Sequence, residues 1–337
     1  MKQAVLNLMQ ATGVFAPFRL ANRNKLLIVT YHRFSEIDDG VTTSARAFEK
    51  HLDYLTSRYR IVTLSSVADH LAAGKTLPAA AAVITIDDGY RDSYEIAFGI
   101  LRRRSLKATL FVVTDFLDGK CWLWTDKLRY LTARTESRTV EAGLNGRALH
   151  IELNDRASRL EAADRVNSQL KVMPDDAKDD AINRLASLLK VELPPLPPPE
   201  FSPINWEETR EMENAGIEIG SHTVTHPVLI NVGVDRLRRE LTESRCRLED
   251  MLDHQVDLFC YPNGNSSATV VQEVERAGYR CAVTTDPGFN DDQSNPLSLR
   301  RIGTERDLAH FVQSTSGFDQ IKNRLAPSRI THQASRA

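Results

Sequence analysis

Six short apolar runs punctuate the chain, at residues 26–31, 80–86, 108–114, 217–220, 257–261 and 281–285. Each is nearly continuous rather than alternating, as expected of strands covered on both faces. Segments of helical character lie between them. Leu52, Leu55 and Tyr59 mark an apolar face over 48–59, and further helices are predicted over 92–104, 234–252 and 268–277. Strand and helix in alternation predict a parallel sheet with α crossovers.

Residues 118–205 break this rhythm. They open with Trp122 and Trp124, continue through charged helical stretches near 155–172 and 175–190, and close on Pro194-Pro195-Leu196-Pro197-Pro198-Pro199. The expectation is a helical insertion, returned to the main fold by a stiff extended linker. The two tryptophans are expected to anchor it to the body rather than to stack on a ligand. Residues 1–22 read as an N-terminal amphipathic segment, 23–322 as the body including the insertion, and 323–337 as a polar tail.

Polar residues cluster directly after the apolar runs. His32 follows the first, Asp87 and Asp88 the second, His222 the fourth, and Tyr261-Pro262-Asn263-Gly264 the fifth. In a parallel barrel the strand C-termini share one rim, so residues remote in sequence converge there. Asp-Gly favours a turn, and the helix-like segment after Asp88-Gly89 suits a strand-to-helix turn better than a hairpin. Two adjacent carboxylates repel unless a cation neutralises one. His222 and His226 are spaced to share one side of a helical turn, although Pro227 biases His226 toward a loop. Ser221, Thr223 and Thr225 stand where they can bond the rings or the nearby backbone. One carboxylate and two imidazoles make a facial ligand set for a divalent metal and leave the other carboxylate free to act as a base.

Bulk properties narrow the picture. A net charge of −2 over 337 residues gives no electrostatic reason to expect nucleic acid as a partner. Cys121, Cys246, Cys260 and Cys281 form no C-x-x-C pair and read as buried reduced thiols. No stretch has membrane-spanning length, and the N-terminus lacks the apolar core of a secretory signal. The expected location is cytoplasmic or peripheral to a membrane. Residues 1–22 are expected to pack on the body, with contact to a membrane surface as the alternative.

Three motifs together carry a family resemblance. Thr85-Ile86-Asp87-Asp88-Gly89 matches T-F-D-D-G, His222-Thr223-Val224-Thr225-His226 matches H-[ST]-x-x-H, and Tyr261-Pro262-Asn263-Gly264 matches Y-P-x-G. Over residues 25–310 the chain resembles the polysaccharide deacetylases of NodB homology, carbohydrate esterase family four. It departs from the common pattern twice. Many members carry an arginine near the third motif that contacts the catalytic aspartate, whereas this chain has Phe259-Cys260-Tyr261-Pro262. Many end in L-x-L-x-H, where Leu297-Ser298-Leu299-Arg300-Arg301 lacks the histidine. Both departures are similar to the circularly permuted branch related to poly-N-acetylglucosamine deacetylases, whose acid histidine follows the first strand, as His32 does after Tyr31.

The resemblance implies a deformed (β/α)7 TIM-like barrel that removes acetyl groups from N-acetylhexosamine units of a glycan. It implies that Asp88, His222 and His226 hold a divalent metal, Zn²⁺ foremost, with Co²⁺, Ni²⁺ or Fe²⁺ as alternatives. Asp87 would be the base, His32 the acid, and the backbone N–H of Tyr261 an oxyanion donor. Arg301 joins Tyr261 among the expected substrate-binding residues and is a candidate replacement for the missing arginine. Two other readings share these residues: a carbohydrate O-acetyl esterase, and a catalytically weak glycan-binding component of a biosynthetic assembly.

Overall fold

The computed structural model describes residues 2–304 and 307–320, so the tail expected at 323–337 lies outside the described residues. Seven parallel strands close a barrel in chain order: β1 (Leu27–Tyr31), β2 (Ala81–Ile86), β3 (Thr109–Val112), β4 (Glu218–Ser221), β5 (Leu258–Cys260), β6 (Cys281–Pro287) and β7 (Leu299–Gly303). β1 pairs with β2 from Leu27–Ala82 to Tyr31–Ile86, and with β7 at Val29–Ile302 and Thr30–Gly303, which completes the ring. A register shift between β6 and β7, and a short extra strand Arg60–Ile61 beside the start of β2, make the barrel irregular. Thus the (β/α)7 architecture holds. β7 is absent from the apolar runs because Arg300 and Arg301 interrupt it.

Alternation along each strand sorts the core into two layers. Ile28, Val83, Phe111, Leu258, Cys260 and Val283 point into the barrel. Leu27, Val29, Ile84 and Leu110 point outward and pack against helices, including Phe48, Leu52 and Leu55 of Ala45–Arg58. Gly220 has no side chain because a Cβ there would lie 2.6 Å from the Phe111 ring, which already fills that level of the interior.

The lower end of the barrel is plugged. Leu64, Val67 and Ala68 of helix Leu64–Ala72 join the interior cluster. Inside the barrel, the Glu218 carboxylate accepts from the N–H groups of Leu64 (2.8 Å) and Ser65 (3.1 Å), completing that helix's N-terminus. Thr109 Oγ1 also donates to Glu218, at 2.7 Å. With this end sealed, the upper rim is left for chemistry.

The insertion is helical with one addition. Helices Trp124–Arg134, Arg156–Leu170 and Lys178–Leu189 surround an antiparallel hairpin, Thr139–Leu144 with Arg147–Glu152. The hairpin turns at Asn145 (φ 52°) and Gly146 (φ 73°), the pairing that a two-residue turn favours. The insertion has its own core, including Leu128, Leu131, Val166, Leu170 and Ile182. Trp122 packs on Val113, Phe116 and Tyr90 of the body and anchors the insertion as expected, whereas Trp124 packs in the insertion's own core.

Two expectations on the chain's chemistry need amendment or restatement. All four cysteines are free, but Cys246 is exposed and Cys121 half-buried, because only Cys260 and Cys281 lie in barrel strands. Among the described residues no helix is long and apolar enough to cross a membrane.

Candidate active site

Strand ends deliver the predicted residues to one rim: His32 after β1, Asp87 and Asp88 after β2, His222 after β4, and Tyr261 after β5. The backbone here is contorted. Asp88 (φ 77°), Thr223 (φ 74°), His226 (φ 60°) and Asn263 (φ 56°) are left-handed without being glycine. Such residues cost roughly 1–3 kcal/mol each and persist only where their surroundings hold them.

The 222–226 loop shows what holds it. Glu240 of helix Val234–Leu252 is buried and accepts from Val224 N and Thr225 N, both at 2.9 Å, and from Thr225 Oγ1 at 2.5 Å. Thr223 Oγ1 accepts from His226 N at 3.0 Å, and Ser221 Oγ from Thr223 N at 3.3 Å. The two imidazoles therefore meet through a pinned loop, not a helical turn.

Asp88 Oδ1 lies 3.4 Å from His222 Nε2 and 3.5 Å from His226 Nε2, and is buried with no hydrogen bond of its own. His222 Nδ1 donates to the Cys260 carbonyl at 2.7 Å, which turns Nε2 toward Asp88. Burial opposes charge on both rings. At His222 the neighbours Cys260, Asp88 and Asp87 outweigh it and raise the pKa. At His226 burial and the adjacent His222 prevail and lower it to about 3. A divalent cation bound between Asp88 and the two rings would displace any proton held there. An orphaned carboxylate oxygen and two converging ring nitrogens fit such an ion.

Asp87, His222 and Cys260 also lie close together. There the guanidinium of Arg301 already supplies the positive charge. Arg301 donates to Asp87 Oδ1 (2.8 Å) and Oδ2 (2.7 Å), to Thr85 Oγ1 (3.0 Å) and to the Thr284 carbonyl (2.7 Å). Burial would raise the pKa of Asp87, but Arg301 above all, with His32 and His222, holds it well below the usual carboxylate range. His32 Nε2 faces the same carboxylate at 3.5 Å, from a ring that is 30% exposed.

The two residues expected at the substrate have their donors engaged elsewhere. Arg301 is 1% exposed with its donors on Asp87 and the barrel wall, the contact expected of a replacement for the missing arginine. Tyr261 N donates to the Val283 carbonyl at 3.1 Å and its hydroxyl to the Leu297 carbonyl at 2.8 Å, so neither group is left for an oxyanion. Pro262 has no N–H, and Gly264 N bonds back to Tyr261 O at 2.8 Å. Among the described residues, that leaves the Asn263 N–H as the uncommitted backbone donor of this loop.

A polar network missed in the sequence links the rim to the insertion. The Arg33 guanidinium lies 4.1 Å from the Tyr90 ring centre and donates to Asp92 at 2.6 Å and to the Glu200 carbonyl at 2.6 Å. Tyr90 Oη donates to buried Asp126 at 2.6 Å. Burial pushes Asp126 up to about 6, against the pull of Arg33 and the Tyr90 hydroxyl. Arg91 N and Ile204 N pair with Ser202 O and Gly89 O, each at 2.9 Å, so the returning end of the insertion grips the loop that follows Asp88. Glu240, Tyr90 and Asp126 carry no sequence signal, since each sits among ordinary helix or turn residues.

Known proteins share this arrangement of strands. Ammonifex degensii IcaB is 20% identical, with a TM-score of 0.56 over 87% of this chain and 97% of that one. Streptococcus pyogenes deacetylase PplD, solved with acetate, is 18% identical, with a TM-score of 0.58 over 87% of this chain and 98% of that one. In sequence, Bacillus subtilis (strain 168) YxkH, named a polysaccharide deacetylase, is 21% identical over 279 residues, 82% of this chain and 71% of the relative. The polysaccharide deacetylase family profile matches residues 74–282, from just before β2 to the start of β6, and so takes in Asp87, Asp88, His222 and His226, with His32 and Arg301 outside it. This chain is therefore a hydrolase of the polysaccharide deacetylase family.

Proposed function

We propose that the protein hydrolyses acetamide groups on N-acetylhexosamine units of an exopolysaccharide or cell-envelope glycan, releasing acetate and leaving a free amine. The observation that carries this reading is the placement of Asp87: locked to Arg301 on one side, 3.5 Å from His32 on the other, and adjacent in sequence to Asp88. Asp88, His222 and His226 would hold a divalent cation, Zn²⁺ foremost, which supplies polarisation of the acetamide carbonyl and a more acidic water. Arg301 keeps Asp87 ionised, so Asp87 enters the reaction as the acceptor of the water proton. The oxygen of that water adds to the acyl carbon, and the C–N bond then breaks. His32 delivers a proton to the departing nitrogen, which cannot leave as an anion. Its partly exposed ring can then be recharged from solvent. The Asn263 N–H takes the oxyanion role first expected of Tyr261.

A base and an acid within 3.5 Å of each other suit an amide, whose leaving group needs protonation, better than an activated ester. The test is acetate release from N-acetylglucosamine oligomers by cation-loaded protein, with a chelator control. Asp87→Asn is expected to retain the cation while losing about 10²–10⁴-fold in rate. Full activity in that variant overturns the mechanism. Acetate released from acetylated xylan but not from N-acetyl oligomers would transfer the assignment to O-acetyl esters.

A further inference from the structure

The N-terminal layer has two faces. Helices Lys2–Ala11 and Ala16–Ala21 lie on helix Leu308–Ser316, where Leu6 and Phe15 bury against Ala309 and Val312. Gln3 Nε2 donates to Asp307 at 3.0 Å and Asn22 Nδ2 to the Ser316 carbonyl at 3.3 Å, so the layer is fastened at both ends. Among the described residues nothing covers its other side. Val5 (53% exposed), Leu8 (63%), Val14 (40%) and Leu20 (60%) are four of the ten exposed large hydrophobic residues among those described, all within sixteen positions. Burying the inner face accounts for Leu6 and Phe15 but not for these four.

Charge separates in the same place. Residues 1–31 contain Lys2, Arg19, Arg23 and Lys25 and no carboxylate, in a chain whose net charge is −2. Elsewhere arginines are heavily paired, as in Arg236 with Asp175 and Arg238 with Glu273. Among the described residues, Arg19, Arg23 and Lys25 take part in no ion pair. Exposed apolar side chains with uncompensated cations and no acid between them match a surface that is apolar below and anionic above.

We infer that this layer docks the protein on the surface of an anionic lipid bilayer. A ten-residue helix spans only about 15 Å, so it lies in the interface and does not cross it. A second copy of the chain is the poorer occupant, because self-association of this face would bring Arg19, Arg23 and Lys25 of both copies together, and the carboxylate at its edge, Asp307, is already engaged by Gln3 and His310. The docked face is the outer side of the layer that covers helix Leu308–Ser316, and none of its residues belongs to the rim. The inference is independent of the acetyl chemistry.

The test is co-sedimentation of the full chain with vesicles of phosphatidylcholine alone or with about one-third phosphatidylglycerol. Binding to the anionic vesicles is expected to exceed binding to the neutral ones by at least about tenfold, and to weaken at high salt. The double variant Leu8→Glu, Leu20→Glu should lose it while acetate release from soluble oligomers is unchanged. Wild-type protein that stays in the supernatant with anionic vesicles overturns the inference, as does a double variant that binds like wild type. A wild-type dimer that the double variant dissolves, without vesicle binding, assigns the face to self-association and also overturns it.

Discussion

In the proposed reaction Asp87 would be an unusually acidic base, and Arg301 is the main neighbour that holds its pKa down. The pairing also fixes both oxygens in direction, which a lysine ammonium cannot do. Arg301→Lys is therefore expected to fold yet lose at least about tenfold in acetate release. Arg301→Met strands a buried charge and should cost roughly 3–5 kcal/mol in urea unfolding. His32 makes a second prediction. In His32→Ala, release from acetamides should fall about 10²–10⁴-fold, while hydrolysis of 4-nitrophenyl acetate falls much less. Equal losses on both substrates would remove His32 as the acid. At this scale the motifs were legible in the sequence because their residues follow apolar runs. The partnership of Arg301 with Asp87 was only glimpsed, since 214 positions separate them and only barrel closure brings them together.

The loops that carry these groups depend on elements that carry none of the chemistry. Glu240 binds two backbone N–H groups and one hydroxyl of the 222–226 loop, so Glu240→Ala frees His226 without touching it. Cation affinity, measured by competition with a chromophoric chelator, should drop about 10–100-fold. Unchanged affinity would mean that the loop holds itself. Asp126 offers a pH signature. Its pKa of about 6 lies above the unfolded value, so the folded state holds a proton there that the unfolded state releases. That term favours the fold below the unfolded pKa and is lost as pH rises toward 6. It amounts to of order 3 kcal/mol for a shift of this size. Buried His51, lowered to about 4, acts in the opposite sense: its term is lost as pH falls below the usual histidine range toward 4. The difference between Asp126→Asn and the parent isolates the first group. Relative to the parent, the variant should gain stability between pH 4 and 7. A difference that stays flat counts against a raised pKa. Of these elements, six strands and the main helices were visible as patterns of apolar spacing. The plug helix at Leu64–Ala72 and the hairpin at 139–152 were not, because one is short and the other lies in a stretch whose charged flanks read as helix.

For the molecule as a whole, the sealed lower end and the single rim mean that site and stability are coupled. A cation held by three buried side chains binds the folded chain far better than the unfolded one. Cation present at about a hundred times its dissociation constant should therefore add roughly 2.7 kcal/mol. Calorimetry with and without chelator checks this, and identical melting curves would exclude tight binding by the folded state.

The seam of the barrel has a further implication, for synthesis. β1 waits between β2 and β7, and β7 carries the guanidinium that tames Asp87. Three hundred residues of this chain precede that arginine. Until it is in place Asp87 lacks its counter-charge. Products released earlier, by a premature stop or a stalled message, should accordingly be inert as well as unstable.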